Sequence, residues 1–194
     1  MQMNDSLWIL NPSGQTSAGA WIDDTLLARV DERGMRAKWP LVANFPRQRV
    51  EVMRGIDPAA EVTRLFELRG WTDGLPIVPP TTGRVEEMLD YAPLSRDALV
   101  GELDPLKGLA TVEKIAINAV MAGCRSDYFP IILKAVEALA ETDFNLRGVQ
   151  TTDENVTPLI LVNGPIARQI GMNDGFGCLG PGWRANATIG RAIR

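Results

Sequence analysis

Apolar residues with helical spacing begin shortly after residue 57. Val62, Leu65 and Phe66 stand at i, i+3 and i+4, which places their side chains on one face of a helix. Asp57-Pro58 is a typical helix start, because aspartate accepts hydrogen bonds from free amides and proline suits the first helical position. The pattern predicts a helix over residues 57–69.

The same spacing recurs further along the chain. Thr111 is a suitable N-cap for an apolar helix that Gly123 ends, because glycine readily adopts the left-handed backbone that follows a helix. Thr157–Val162 is short, rich in β-forming residues and bounded by turn residues, so it predicts a buried strand. The predicted helices after the first cover residues 82–89, 111–122, 127–140 and 165–170, and another starts at Arg184.

Residues 1–56 lack this regularity. Prolines interrupt the chain at Trp39-Pro40 and Phe45-Pro46, and proline removes a backbone donor and restrains the residue before it. Only a helix near Asp23–Arg33 is indicated there. We therefore predict an irregular N-terminal arm or remnant domain, residues 1–56, and a main α/β domain, residues 57–194, truncated at its C-terminus. The expected class is α/β, with α+β as the alternative, helix-rich with a small mixed sheet.

Composition narrows the class of protein. The chain has 194 residues, of which 45% are apolar and 23% charged, with a formal net charge of −4. Nucleic-acid and membrane-surface partners usually require a basic excess, so neither is expected. The longest apolar runs are too short to span a bilayer, and the N-terminus lacks a secretory signal. Two cysteines make no disulfide framework, which indicates a cytoplasmic protein with reduced thiols.

The sequence contains no histidine. This excludes Ser-His-Asp and Cys-His nucleophiles, and histidine-ligated metals, within the chain. Any chemistry must therefore use thiols, carboxylates, Lys, Tyr, Arg, backbone amides or a group from another subunit. No metal site is predicted, and the cofactor is left unknown.

The best candidate site is a segment with five glycines, Gly171–Trp183. Glycines let backbone amides approach an anion closely, and the helix that follows would point its N-terminus at the segment. Phe176 and Trp183 could wall a cavity, and Arg184 could pair with a carboxylate or phosphate. The spacing matches neither GxGxxG nor a Walker loop, so a tight connector between helices is the alternative. The predicted ligand-binding residues are Gly175, Gly177, Gly180, Trp183, Arg184, Asn163 and Asn186, of which Asn163 could equally be a turn residue and Asn186 a helix-start residue.

Four side chains are candidates for catalysis. Cys178 lies inside the glycine-rich segment, where a following helix and an arginine would favour the thiolate; the alternative is a small buried apolar residue. Cys124 lies between two predicted helices, and a core or spacer role is the alternative. Lys114 lies at a helix start, where the helix dipole disfavours a positive charge, so its ammonium could pair with an acidic group or a ligand. The alternative is a lysine that is simply solvated. Asp73 could act as a general acid or base if buried, and otherwise caps its turn.

Four strings resemble a bacterial and metagenomic family that is linked to the UGSC (seleno)protein family: Gly70–Thr81, Thr111–Cys124, Leu161–Ala167 and Gly180–Arg191. The resemblance covers residues 57–194 in long, nearly ungapped strings. The companion protein carries a Sec/Cys-Gly-Ser-Cys motif, which this sequence lacks. Family members also continue past the helix near Ala187, so this chain is expected to be a fragment or one half of a split protein.

The resemblance implies a thiol- or selenol-dependent oxidoreductase or lyase. Together with the residues themselves, it predicts an enzyme or substrate-binding subunit that takes a small anionic or polar metabolite in the glycine-rich segment. Cys178 would be the nucleophile or redox group, and Arg184 and backbone amides would stabilise negative charge. The alternative is a non-catalytic assembly subunit that packs with a companion redox protein, and an oligomer is expected.

Overall fold

A computed structural model describes residues 6–10, 50–54 and 56–194, with side chains from residue 56 onward. The predicted helix near residues 23–33 lies outside these ranges. The chain forms two compact units, residues 1–82 and 83–194. The expected boundary at residue 57 depends largely on residues outside the described ranges, so it stays a prediction.

The first unit contains an antiparallel strand pair and a helix. Strand β1 (Ser6–Leu10) pairs with β2 (Val50–Arg54), and helix α1 (Pro58–Leu68) lies against both strands. The helix begins as the sequence predicts, because the Asp57 carboxylate accepts from the amide of Ala60 at 3.1 Å. Its buried face holds Val62 and Phe66.

The second unit begins near the start of α2 and contains most of the described elements. Short 3₁₀ turns at Ser126–Tyr128 and Thr142–Phe144 flank its longest helix. The elements in order are α2 (Thr82–Leu89), β3 (Leu99–Leu103), β4 (Gly108–Thr111), α3 (Val112–Met121), α4 (Phe129–Ala140), α5 (Leu146–Thr151), α6 (Pro165–Gln169) and α7 (Arg184–Ile193).

The core of the second unit lies between helices α3, α4 and α7, which contact one another in pairs. Strands β3 and β4 form an antiparallel hairpin, with β3 against α4 and β4 leading into α3. Burial of each large apolar side chain contributes about 2 kcal/mol, so this cluster is the main source of the unit's stability. Its most buried members include Ile117, Phe129, Ile132 and Ile189, and Val85 and Met88 of α2 are buried as well.

The helix-rich class with a small sheet is confirmed, and both described strand pairs are antiparallel. The predicted helices over residues 57–69, 82–89, 111–122, 127–140 and 165–170, and the one starting at Arg184, are present with shifts of at most a few residues at their ends. Their starts were readable because capping signals are local. Among the described residues, no helix has the length and apolar character needed to cross a bilayer.

The predicted buried strand at Thr157–Val162 is wrong. These residues have no regular secondary structure, and Leu159 and Leu161 are 71% and 85% exposed. A strand needs a neighbour to pair its backbone, and none of the described strands pairs with this segment. The segment has a high β propensity, but propensity alone does not form a strand when no neighbouring strand pairs with it.

Candidate functional site

The glycine loop, residues 171–183, connects α6 to α7 and is held by an asparagine of α7. The side chain of Asn186 accepts from the amide of Asn173 at 2.9 Å and donates to the carbonyl oxygens of Asn173 and Cys178 at 2.9 and 3.0 Å. A single amide group thereby fixes two points of the loop against the helix. Asn186, predicted to contact a ligand, uses both ends of its amide within the protein.

Asn173 braces the first half of the loop from inside. Its Oδ1 accepts from the amide of Gly175 at 3.0 Å, and its Nδ2 donates to the carbonyl of Phe176 at 3.0 Å. Gly177 and Gly182 have φ values of 78° and 109°, a backbone conformation that other residues adopt only with strain. The loop is therefore a defined structure, and part of its glycine content is explained by backbone geometry.

Cys178 lies at the middle of this braced loop with its side chain partly exposed. Its amide donates to the carbonyl of Gly175 at 3.2 Å, and its carbonyl receives the bond from Asn186. In the described part of the chain, its sulfur makes no hydrogen bond. The backbone of Cys178 is therefore held by hydrogen bonds, and the residue as a whole is partly exposed.

Cys124 is in the opposite situation. It is buried, and its Sγ donates to the carbonyl of Thr188 in α7 at 3.2 Å. Burial raises the pKa of this thiol to about 11, because the thiolate would be removed from water. At neutral pH the thiol of Cys124 is therefore protonated and lies in the core. This agrees with the core role that was the alternative for Cys124, and it argues against a catalytic role.

Arg184 begins α7 and is engaged with the end of α3. Its Nε and one terminal nitrogen donate to the carbonyl oxygen of Gly123 at 3.1 and 3.0 Å. Gly123 follows α3 with a φ of 86°, so the guanidinium satisfies a carbonyl at the negative end of the α3 dipole. Two of the guanidinium donors are used in this way, and the predicted pairing with a ligand carboxylate or phosphate would have to use the others.

The large apolar side chains of the loop are exposed and do not enclose a cavity. Phe176 is fully exposed, Leu179 is 89% exposed and Trp183 is 46% exposed. The predicted cavity wall at Phe176 and Trp183 is therefore not formed by buried rings. What the loop presents instead is an apolar surface beside Cys178, with Gly175 exposed and Gly180 partly covered.

Asn163 makes no hydrogen bond to the described residues of this loop. It is exposed and precedes Gly164 and α6, and among the described residues it has no hydrogen-bond partner. The glycine loop itself joins α6 through the amide of Met172, which donates to the carbonyl of Ala167 at 2.9 Å.

The two remaining predicted catalytic residues have local structural roles. Asp73, in the first unit, is exposed and its Oδ1 accepts from the amide of Leu75 at 3.1 Å, as expected for a turn cap. Lys114 donates from Nζ to the carbonyl of Leu109 at 3.2 Å. Burial lowers the pKa of the Lys114 ammonium, since the charged form loses hydration.

A charged cluster that the sequence did not reveal lies near the start of α3. Arg96 donates to Glu113 at 2.7 Å and to Glu86 at 2.9 Å. Glu113 is only 7% exposed, and burial raises the pKa of its carboxyl although the Arg96 charge acts to lower it. The sole hint in the sequence was an acidic residue in the first turn of an apolar helix; its partner lies 17 residues earlier.

The donor sets do not indicate a metal centre. Among residues 6–10, 50–54 and 56–194, no three Cys, Asp or Glu side chains come together as ligands. Comparisons with protein-family models, with curated proteins and with solved structures find no match to this chain. The function must therefore be argued from the loop and its thiol.

Proposed function

We propose that the chain is an enzyme or a substrate-binding subunit that holds a small anionic or polar metabolite against the glycine loop, with Cys178 as the reactive thiol. The observation that carries this proposal is the contrast between the two cysteines. Cys178 is a partly exposed residue on a backbone that hydrogen bonds hold, whereas Cys124 is buried and its sulfur is hydrogen-bonded. A thiol must be both reachable and positioned to act as a nucleophile or redox group.

The N-terminal turn of α7 supports the anionic character of the ligand. The amides of Arg184, Ala185 and Asn186 donate to no other described residue, as is usual for the first turn of a helix. Such amides and the helix dipole favour negative charge. Because Asn186 also holds the carbonyl of Cys178 at 3.0 Å, the loop that bears the thiol is tied to this helix turn.

A protection experiment tests whether an anion binds there. The rate of Cys178 alkylation by iodoacetamide is measured by peptide mass spectrometry with inorganic phosphate, with succinate and with sodium chloride at equal ionic strength. We expect phosphate or succinate to slow the reaction in a saturable way, whereas chloride does not. Equal rates in all three solutions would count against an anion site at the loop.

Turnover tests the role of the thiol itself. Cys178→Ser is compared with Cys124→Ser in a preparation that converts a small carboxylate or phosphate ester. We expect the first substitution to abolish turnover and the second to preserve it, after both variants are shown by circular dichroism to be folded. Unchanged turnover in Cys178→Ser would reject the thiol mechanism.

The exposed apolar residues of the loop favour a second candidate, a non-catalytic assembly subunit. Phe176 is fully exposed and Leu179 is 89% exposed, and an apolar surface of this kind commonly marks a protein contact. The partner would be a redox protein that carries a Cys-Gly-Ser-Cys motif. Mixing the two purified proteins should give a complex by size exclusion, and Phe176→Ser with Leu179→Ser should abolish it. Turnover by the isolated chain would argue against this candidate.

A further inference from the structure

The turn before α6 contains an asparagine followed directly by a glycine. Asn163 and Gly164 are both exposed, and no other Asn-Gly pair occurs in the sequence. Gly164 has φ 99° and ψ −174°, a backbone conformation that is essentially restricted to glycine. A Cβ built on Gly164 would meet nothing within 4 Å. The backbone conformation, and not crowding, therefore requires glycine after Asn163.

Hydrogen bonds do not hold the two groups that would react with each other in this turn. Among the described residues, the side-chain amide of Asn163 has no hydrogen-bond partner, and the backbone N–H of Gly164 donates to no acceptor. The contact that Gly164 does make is through its carbonyl, which accepts from the amide of Ala167 at 3.3 Å. No hydrogen bond has to break before the nitrogen of Gly164 approaches Cγ of Asn163.

We propose that Asn163 is a modification site, at which the asparagine deamidates spontaneously. Asparagine is among the thermally labile residues of proteins. The backbone nitrogen of Gly164 attacks Cγ of Asn163 and loses its proton to solvent, and the side-chain nitrogen leaves as ammonia. The product is a cyclic succinimide. Water opens this ring at Cγ to give aspartate, or at the backbone carbonyl to give isoaspartate. The net reaction consumes water and releases ammonia, and it needs no oxidant or reductant.

Conversion changes the connection into α6. Either product adds one negative charge to a chain with a formal net charge of −4. Isoaspartate also lengthens the main chain by one carbon atom, because the backbone then passes through Cγ of residue 163. The helix that follows is joined to the glycine loop by the bond from the amide of Met172 to the carbonyl of Ala167 at 2.9 Å. The modified position therefore lies at the entry to the helix that carries this loop.

Two other asparagines of the described chain separate the effects of exposure and of the following residue. Asn155 is exposed and has no hydrogen-bond partner among the described residues, but Val156 follows it. The branched side chain of valine is stiff and hinders the approach of its own amide to the asparagine. Asn173 uses both ends of its side-chain amide, at Gly175 and Phe176. Asn155 therefore lacks the glycine, and Asn173 lacks the unbonded side chain.

The first test is the rate of conversion in the folded full chain at neutral pH. Peptide mass spectrometry over time gives the rate at each asparagine, and chromatography separates aspartate from isoaspartate peptides. We expect conversion at Asn163 to be faster than at Asn155 by about tenfold or more. Val156→Gly places a glycine after Asn155 in an exposed, irregular segment and should accelerate conversion there to a similar extent. Asn163→Gln should abolish conversion at 163, because ring closure would need a larger ring.

The second test asks whether the fold leaves Asn163 open to this reaction. The same rates are measured in the folded chain and in the chain unfolded in urea. Unfolding should change the rate at Asn163 little, whereas it should increase the rate at Asn173, whose side-chain hydrogen bonds are then lost. An unmodified Asn163 in the aged folded chain, equal rates at Asn155 and Asn163, an unchanged Asn155 in Val156→Gly, or an acceleration by urea as large at Asn163 as at Asn173 would each overturn the proposal.

Discussion

The surroundings of a sulfur atom decide whether it can react. At pH 8, a thiol with a pKa of about 11, as burial gives Cys124, is about 0.1% thiolate. We expect iodoacetamide to modify Cys178 in the native chain and to leave Cys124 unmodified until the chain is unfolded in urea. Peptide mass spectrometry over time gives both rates. Comparable native rates would show that the thiol of Cys124 is not shielded as its contact with Thr188 indicates.

Loss of the Arg96–Glu113 ion pair should lower the stability of the chain by an amount that depends on pH. In Arg96→Met the buried carboxylate of Glu113 loses its cation, so we expect the free energy of unfolding to fall by about 2 kcal/mol at pH 7, less than for a fully buried pair. Urea unfolding at pH 7 and pH 5 measures this. Lys134→Met is the control, because Lys134 pairs with Glu137 on an exposed surface and should change stability by less than about 0.5 kcal/mol.

The direction of the pH effect follows from the carboxyl group. The folded-state pKa of Glu113 is raised by burial, so its protonated form is favoured by folding. Its contribution is fully present below the unfolded pKa and is lost as the pH rises through the folded pKa. Removing Arg96 raises the folded pKa further. The deficit of Arg96→Met should therefore be smaller at pH 5 than at pH 7; a larger deficit at pH 5 would contradict the assignment.

At the scale of elements, the glycine loop depends on one side chain of α7. Asn186→Ala removes three hydrogen bonds to the loop backbone, at about 1 kcal/mol each or less. We expect a loss of about 2 kcal/mol and faster proteolytic cleavage within residues 171–183. Asn118→Ala is matched to it, since Asn118 makes one exposed bond to its own helix and should alter neither property.

The hairpin and α4 approach each other closely at Gly101. A Cβ on Gly101 would lie 2.5 Å from the Cβ of Ala140, so Gly101→Ala should destabilise the second unit by about 1–3 kcal/mol. Gly190→Ala in α7 meets nothing within 4 Å and should stabilise by about 0.5–1 kcal/mol. Thermal unfolding compares the two. Neutral behaviour of Gly101→Ala would mean that β3 is not held against α4.

Local signals explain what could be predicted among the elements. Asp57, Thr111 and Gly123 mark helix ends through contacts with residues three or four positions away. The β3–β4 hairpin was missed because β3 is five residues long and contains Gly101 and Glu102, which interrupt an apolar alternation.

The candidate site was predicted in its chain position but not in its contacts. The five glycines around Cys178 identified the loop. The bonds that give it shape join Asn173 to Asn186, 13 residues apart, and Gly123 to Arg184, 61 residues apart. Side-chain types at such separations do not specify each other in one sequence, so residues assigned to a ligand proved to hold the protein together.

At the scale of the whole molecule, the second unit carries its own core. A fragment of residues 80–194 should therefore unfold cooperatively in urea, because α2, α3, α4 and α7 are all retained. A fragment of residues 91–194 lacks α2, and with it the buried Val85 and Met88. We expect that shorter fragment to lose cooperative unfolding. Cooperative unfolding of both fragments would show that α2 is dispensable.

Because hydrogen bonds hold the first turn of α7 in place, the loop before it should tolerate insertions and deletions at particular positions. Arg184 bonds to the carbonyl of Gly123, and Asn186 bonds to the backbone of Asn173 and Cys178. Among the described residues, Pro181 and Gly182 make no hydrogen bond, whereas the amide of Gly180 donates to the carbonyl of Gly177 at 2.8 Å. We therefore expect residues 181–182 to tolerate insertions that leave both sets of contacts in place. Insertions and deletions during divergence should therefore accumulate at Pro181-Gly182, and a peptide tag could be grafted there while α7 keeps its place.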